Sequence, residues 1–173
     1  MKCKVIDNFL DEEYFDSLVA LFIRESDYQV PWFFQSSISH DNVVEDKLFY
    51  MTHLIYNMNV PESNHYNSLI PLLEKLDAKC LIRIKGNLYP NTKILHEHLM
   101  HTDYNYLHSG AILSLNTCDG YTKLKDGTKI DSVANRILLF DSSEEHCSTT
   151  TTNDFARFNI NINYINVENK IQE

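Results

Sequence analysis

The residues of this chain best suited to chemistry are His101 and Asp103, separated by one residue, then His146, and then Arg157 eleven positions later. Two imidazoles and a carboxylate make a facial set that holds Fe(II) and leaves coordination positions open. A guanidinium presents a planar fork that pairs with a carboxylate through two parallel hydrogen bonds. An arginine at this remove from the distal histidine suits a dicarboxylic cosubstrate whose other end sits on the metal. The set therefore points to oxidation at a non-haem iron with 2-oxoglutarate as cosubstrate.

The triplet alone decides little. With eight histidines and thirteen aspartates in 173 residues, an HxD triplet arises by chance roughly 0.6 times. Placement says more. In an extended segment His101 and Asp103 share a face, while His96 and His98 fall on the opposite parity. A cupin metal site would want HxH followed three or four residues later by a glutamate, and positions 101 and 102 are His and Thr. His96 and His98 are therefore expected beside the ligands or on the surface. Taken by itself, His146 is as easily a solvated loop histidine; HxD before it and Arg157 after it favour a ligand.

Composition bounds the alternatives. The chain is 43% hydrophobic, enough for one good core and too short for two domains. We expect one domain over 1–173, with helical support and a lid segment in 1–79 and a β core in 80–167. Twenty-four acidic residues against fifteen basic ones give a net charge of −9. That balance argues against nucleic acid as a partner, since such binding draws on Lys and Arg neutralising phosphates. Cys3, Cys80, Cys118 and Cys147 form no CxxC pair, so isolated thiols in a reducing cytoplasm are expected. Asp7 and Asp11 are wrong for a signal peptide, and Leu18 to Ile23 is far short of a membrane span.

The elements that must position the site follow from periodicity. Asp11 reads as an N-cap with Glu12 and Glu13 behind it, opening a helix over 11–25 with Tyr14, Leu18, Leu21 and Phe22 on one face. A second helix is expected over Ser68–Ala78, with Ile70, Leu73 and Leu76 inward and Pro71 in its first turn. Residues 27–47, with Trp32-Phe33-Phe34, suit either a lid or an aromatic plug on the core. Residues 47–58 fit strand and helix equally. Strands are expected at Cys80–Lys85, Ile112–Leu115, Tyr121–Leu124, Lys129–Val133, Arg136–Phe140 and Phe155–Val167. Asp119-Gly120 and Asp126-Gly127 read as hairpin turns that tolerate positive φ. The last strand alternates most clearly: Phe158, Ile160, Ile162 and Tyr164 on one face, Arg157, Asn159, Asn161 and Asn163 on the other. On an ordinary sandwich the polar face meets water. If Arg157 points into a barrel, the asparagines point in with it, and a polar interior needs a polar ligand. The fold class expected is mostly β with N-terminal helices: a double-stranded β-helix, or jelly roll, buttressed by about two helices.

From about Cys80 to Tyr164, half the chain, the sequence resembles the prolyl-hydroxylase-like branch of the Fe(II)/2-oxoglutarate oxygenases, particularly its short stand-alone phage and bacterial members. The resemblance rests on ordered motifs: Asn87-Leu88-Tyr89-Pro90, His101-Thr102-Asp103, Leu113-Ser114-Leu115-Asn116, Gly120-Tyr121-Thr122, Arg136-Ile137-Leu138-Leu139-Phe140, His146 and Arg157. It implies that His101, Asp103 and His146 bind iron and that Arg157 pairs with the far carboxylate of 2-oxoglutarate. It further implies that Tyr89 hydrogen-bonds the cosubstrate, with Ser114 and Asn161 at two more cosubstrate-lining positions. Asp119 replaces the first glycine of the family's usual pair. The carboxylate at Asp103 implies hydroxylation or desaturation, since related halogenases leave that position open. The implied reaction consumes O2 and 2-oxoglutarate, releases succinate and CO2, and takes ascorbate as an optional reductant. The substrate expected is a peptide, an amino acid or another small molecule. Oligomeric state is left open. The alternative is a non-catalytic jelly-roll binding or structural module; a keto-acid-independent cupin is a third reading.

Overall fold

A computed structural model describes residues 3–24, 28–36 and 48–166. Its strands are β1 (Lys4–Ile6), β2 (Phe33–Gln35), β3 (Tyr50–Asn57), β4 (Val60–Pro61), β5 (Cys80–Pro90), β6 (Ser109–Ser114), β7 (Tyr121–Leu124), β8 (Lys129–Asp131), β9 (Ile137–Asp141), β10 (His146–Ser148) and β11 (Ala156–Ile165). Helix α1 (Glu12–Phe22) follows β1, and α2 (Ile70–Leu76) precedes β5. The major sheet runs β1-β9-β6-β11-β5-β3-β2, with β4 beside β3; the minor sheet runs β10-β7-β8. Bridges from Glu97 to Thr149 and from His101 to His146 lay the segment before β6 along the free edge of β10. Two antiparallel sheets facing across a shared interior are a double-stranded β-helix, as the sequence predicts.

Both helices lie on the outside of the major sheet. Asp11 caps α1 by accepting from the Tyr14 backbone N–H at 3.0 Å, and Phe15, Leu18 and Phe22 are buried at helical spacing. The second helix departs from expectation at its start. Tyr66–Leu69 form a 3₁₀ turn, and Pro71, lacking an N–H, lies in the first turn of an α2 that begins only at Ile70. The inward residues are Leu72, Leu73 and Leu76, while Ile70 is exposed. Leu73 and Leu76 face inward as expected, and Leu69 and Leu72 take the place expected of Ile70 in the buried stripe. These helical side chains pack with Ile84, Ile160, Ile162, Leu113 and Ile137 in one core.

Within the ambiguous stretch 47–58, Tyr50–Asn57 form β3, paired with β5. A register shift between Leu54 and Tyr56 buries Ile55 and interrupts the period-2 pattern, which is why periodicity left this stretch ambiguous. The Asp126-Gly127 turn joins β7 and β8 with Gly127 at φ 88°. Asp119-Gly120 does not make a hairpin: it carries the chain from the major sheet to the minor one, and Gly120 does not use positive φ. Its lack of a side chain serves close approach instead. A Cβ there would lie 2.7 Å from the Thr150 carbonyl and 2.8 Å from Arg157 Cδ.

Of the Trp32–Phe34 cluster, Trp32 packs against Phe22 and Phe158 in the core, while Phe33 and Phe34 are exposed. Much of the expected lid, including 37–47, lies outside the described residues. Among the described residues no helix is long and apolar enough to cross a membrane.

Candidate metal and cosubstrate site

The last strand buries both of its faces. Ile160 and Ile162 lie under the helices, and Arg157, Asn159, Asn161 and Asn163 point between the sheets, Arg157 with 1% of its surface exposed. Strand β5 matches this parity rung by rung: Arg83 opposite Asn163, Lys85 opposite Asn161, Asn87 opposite Asn159, Tyr89 opposite Arg157. The barrel interior is therefore a polar ladder, buried at Asn87, Arg157, Asn159, Asn161 and Asn163 and half-buried at Arg83 and Lys85. The alternation along Cys80–Pro90 carries Arg83, Lys85 and Asn87 into the site, and the sequence reading missed all three. Polar residues at every second position beside an apolar partner set were the signal available.

His101 and Asp103 come from the segment between β5 and β6, His146 from the first residue of β10. One potential ligand atom from each lies within 4.8 Å of the others. Backbone pairing sets this convergence: His101 N–H donates to the His146 carbonyl at 3.0 Å and His146 N–H to the His101 carbonyl at 2.9 Å. The imidazole Nδ1 of His146 lies 3.0 Å from the Glu144 carbonyl and that of His101 3.3 Å from the Leu99 carbonyl. With Nδ1–H donating to backbone in both rings, each Nε2 keeps its lone pair for a metal. The His146 ring packs edge-on against Phe140.

Asp103 accepts from four side chains. Arg83 Nη2 donates to Oδ1 at 2.8 Å, while Ser142 Oγ (2.7 Å), Asn163 Nδ2 (2.8 Å) and Asn161 Nδ2 (3.2 Å) donate to Oδ2. Burial pushes the Asp103 carboxyl up, but Arg83, His146, Lys85 and the Asn163 hydrogen bond outweigh it and hold the group ionised, well below the usual carboxylate range. Burial, and then neighbouring His146, bring the His101 imidazole down to about 4. A neutral imidazole and an ionised carboxylate are the protonation states metal binding requires.

Arg157 lies deeper. Its Nη1 donates to the Tyr121 carbonyl at 2.7 Å and its Nη2 to Thr122 Oγ1 at 2.8 Å, and its guanidinium carbon is 5.7 Å from the centre of the Tyr89 ring. Burial lowers its pKa. No carboxylate among the described residues pairs with it, and its Nε–H has no acceptor. The Oδ1 atoms of Asn87, Asn161 and Asn163 are likewise buried without donors. An unpaired buried cation among unsatisfied amides is costly unless a polar ligand completes it.

Two cavities meet at the triad. The outer one, about 1150 Å³, opens beside His101 and Asp103 and is lined by Arg83, Lys85, Tyr50, His53 and Phe33, among others. The inner one is bounded by His101, Asp103, His146, Asn161, Tyr89 and Thr122, and its roughly 30 Å³ holds about one water. Tyr89 and Asn161 thus line the inner chamber. Ser114 is buried beside Asn159 on β6 and lines neither cavity. His98, expected beside the ligands or on the surface, is buried against the Tyr89 ring, and burial brings its pKa down to about 4.

No protein-family model matches this sequence, and no curated protein does. Solved structures do match it. A prolyl hydroxylase of Trichoplax adhaerens, in complex with a hypoxia-inducible-factor degradation-domain peptide, superposes with a TM-score of 0.67 at 16% identity, over 94% of this chain and 83% of that one. The viral collagen prolyl hydroxylase of Paramecium bursaria Chlorella virus-1, in its 2-oxoglutarate complex, gives 0.59 at 13% identity over 95% and 97%. HygX of Streptomyces hygroscopicus, with nickel and 2-oxoglutarate bound, gives 0.62 at 10% identity over 96% and 83%. Through nearly its whole length, this chain has the double-stranded β-helix fold of these 2-oxoglutarate-binding proteins and prolyl hydroxylases.

Proposed function

We propose that this protein is an Fe(II)- and 2-oxoglutarate-dependent dioxygenase that hydroxylates a C–H bond of a peptide, amino acid or other small substrate, releasing succinate and CO2. The observation that carries the reading is Arg157: a fully buried guanidinium with no carboxylate partner among the described residues, in the same interior as a His-Asp-His set whose two imidazoles turn Nε2 away from their backbone anchors. A non-catalytic scaffold gains nothing from burying that charge unpaired. The HxH-glutamate pattern of the cupin reading is absent from the sequence.

His101, Asp103 and His146 would hold the iron, and Arg157 the far carboxylate of 2-oxoglutarate, with Tyr89 and Asn161 along its length. Bound there, iron and the keto acid supply the oxidising power for C–H hydroxylation. The chain's own residues position and protect. Leu99 and Glu144 carbonyls fix the ring tautomers; Arg83, Ser142, Asn161 and Asn163 orient the Asp103 carboxylate. The inner chamber has room for about one water, so cosubstrate entry requires Lys85, Asn87 or Asn161 to turn aside. Ser114, the cross-strand neighbour of Asn159 on the same inward face, would support the cosubstrate from that side.

The four cysteines form no disulfide and two of them are buried, which suits a reducing cytoplasm. The substrate partner and O2 enter through the outer cavity. Adding Fe(II) and 2-oxoglutarate to the protein under argon should produce a visible metal-to-keto-acid charge-transfer band, and admitting O2 should yield succinate. Absence of both overturns the proposal.

A further inference from the structure

The outer cavity has a chemical character that the metal and cosubstrate do not explain. Arg83 and Lys85 stand two residues apart on the same face of β5, and both line this cavity where it meets His101 and Asp103. In a chain of net charge −9, two of only fifteen basic residues have been placed together inside the barrel. Neither is satisfied there. Arg83 has five N–H donors and spends Nη2 on Asp103 Oδ1; its face lies 5.2 Å from the Tyr104 ring and its Nε–H has no acceptor. Among the described residues, the Lys85 ammonium has neither a hydrogen bond nor a carboxylate, only the Tyr50 ring at 5.6 Å.

Like charges this close repel each other. A residue needed only to fill space against Tyr50 would be apolar. Orienting Asp103 explains Arg83 in part, whereas Lys85 makes no hydrogen bond to that carboxylate and adds only a charge that helps to keep it ionised. Loading the site does not remove the surplus. The two charges of 2-oxoglutarate offset those of a divalent metal, and Asp103 then balances only one of Arg83, Lys85 and Arg157. Positive charge is left at the junction where the substrate must present its C–H bond.

Resting on the oxygenase reading, we propose that Arg83 and Lys85 form an anion-recognition floor, and that the substrate is a carboxylic acid whose carboxylate lies within a few bonds of the oxidised carbon. The planar carboxylate matches the free edge of the guanidinium, with Lys85 as the second, point-charge donor. Glu62 and Glu145 on the cavity wall, together with the overall negative charge, oppose a phosphate dianion more than a single carboxylate. Two sources share this chemistry: a free amino acid and the C-terminal carboxylate of a peptide.

The test uses protein loaded with Fe(II) and 2-oxoglutarate under argon, titrated calorimetrically with the proteinogenic L-amino acids as free acids, as N-acetyl acids and as primary amides. Inorganic phosphate is a separate arm. The expected result is binding of at least one acid, with its amide weaker by about tenfold or more, the loss expected for one charge-assisted pair. Lys85→Met should weaken the acid by a similar factor and Lys85→Arg should restore it, with the 2-oxoglutarate affinity of each variant titrated separately so that the two effects are read apart. Equal binding of the N-acetyl form assigns a peptide C-terminus; binding of the free acid alone assigns a free amino acid. The inference is overturned if no acid binds, if the amide binds equally well, if phosphate is preferred, or if Lys85→Met abolishes the band without added acid, which would make Lys85 a cosubstrate ligand. A wild-type protein without the band overturns the oxygenase reading itself.

Discussion

His101 and His146 exchange both of their backbone hydrogen bonds, at 3.0 and 2.9 Å, and their rings stand 4.8 Å apart. The two candidate metal donors are thus held by main-chain pairing, with a backbone carbonyl on each Nδ1. Replacing either ring leaves the pairing intact. His146→Ala should therefore lose metal binding while the metal-free protein unfolds within about 2 kcal/mol of wild type. Equilibrium dialysis with Mn(II) and urea unfolding in chelator check the two halves; metal affinity unchanged by His146→Ala would remove the histidine from the site.

Asp103 and Arg83 predict a non-additive pair. Truncating Asp103 to Ala strands a buried guanidinium and should cost about 3 kcal/mol, whereas Arg83→Met/Asp103→Ala should cost less than the two single changes summed. A double-mutant cycle by urea unfolding gives the coupling. Strict additivity would mean that the 2.8 Å contact carries no energy.

Arg157→Ala should weaken 2-oxoglutarate by about 30-fold or more, on the order of 2–4 kcal/mol, with Mn(II) affinity nearly unchanged. Fluorescence or calorimetric titration with and without cosubstrate separates the effects. Equal loss of metal and cosubstrate would point to a folding defect instead.

Gly120→Ala acts on the same arginine without touching its charge. The added methyl meets the Thr150 carbonyl and Arg157 Cδ below 3.0 Å. It should destabilise by about 1–3 kcal/mol and displace Arg157, so cosubstrate affinity falls with stability. Unaltered thermal unfolding would show that the link between the sheets gives way freely.

One buried histidine and one half-buried one set a pH dependence. His98 and His101 are brought down to about 4, chiefly by burial, from an ordinary value near 6.5. Below about pH 6.5 the unfolded chain takes up protons that the folded chain refuses until about pH 4. Stability is therefore full above the upper value and falls as pH drops through this window, by up to about 1.4 kcal/mol per pH unit for each histidine. His101 reaches the outer cavity, so water screens part of its share. Urea midpoints in chelator should decline from pH 6.5 to 4, and His98→Asn should flatten the decline. A profile identical to wild type would place the proton uptake elsewhere.

Much of the barrel is legible in residue order. The alternation of Arg157 to Tyr164 reads directly as one apolar and one polar face, and Asp11 marks the start of α1, because capping and period-2 patterning are local. The triplet and the later arginine are likewise visible as types at a spacing. Which side of the last strand is wet is not local: only the two helices, closing over Ile160 and Ile162, force the asparagines inward. The bulge at Ile55, the late start of α2 and the role of Gly120 depend on neighbours distant in sequence, so no window of residues contains them. Arg83 and Lys85 read as two ordinary basic residues until β11 pairs opposite them. The sequence determined which ligating groups this protein possesses, since donor atoms belong to residue types. The tertiary structure decided which of them share one barrel interior, since that depends on long-range strand pairing and on which face of each strand the helices cover.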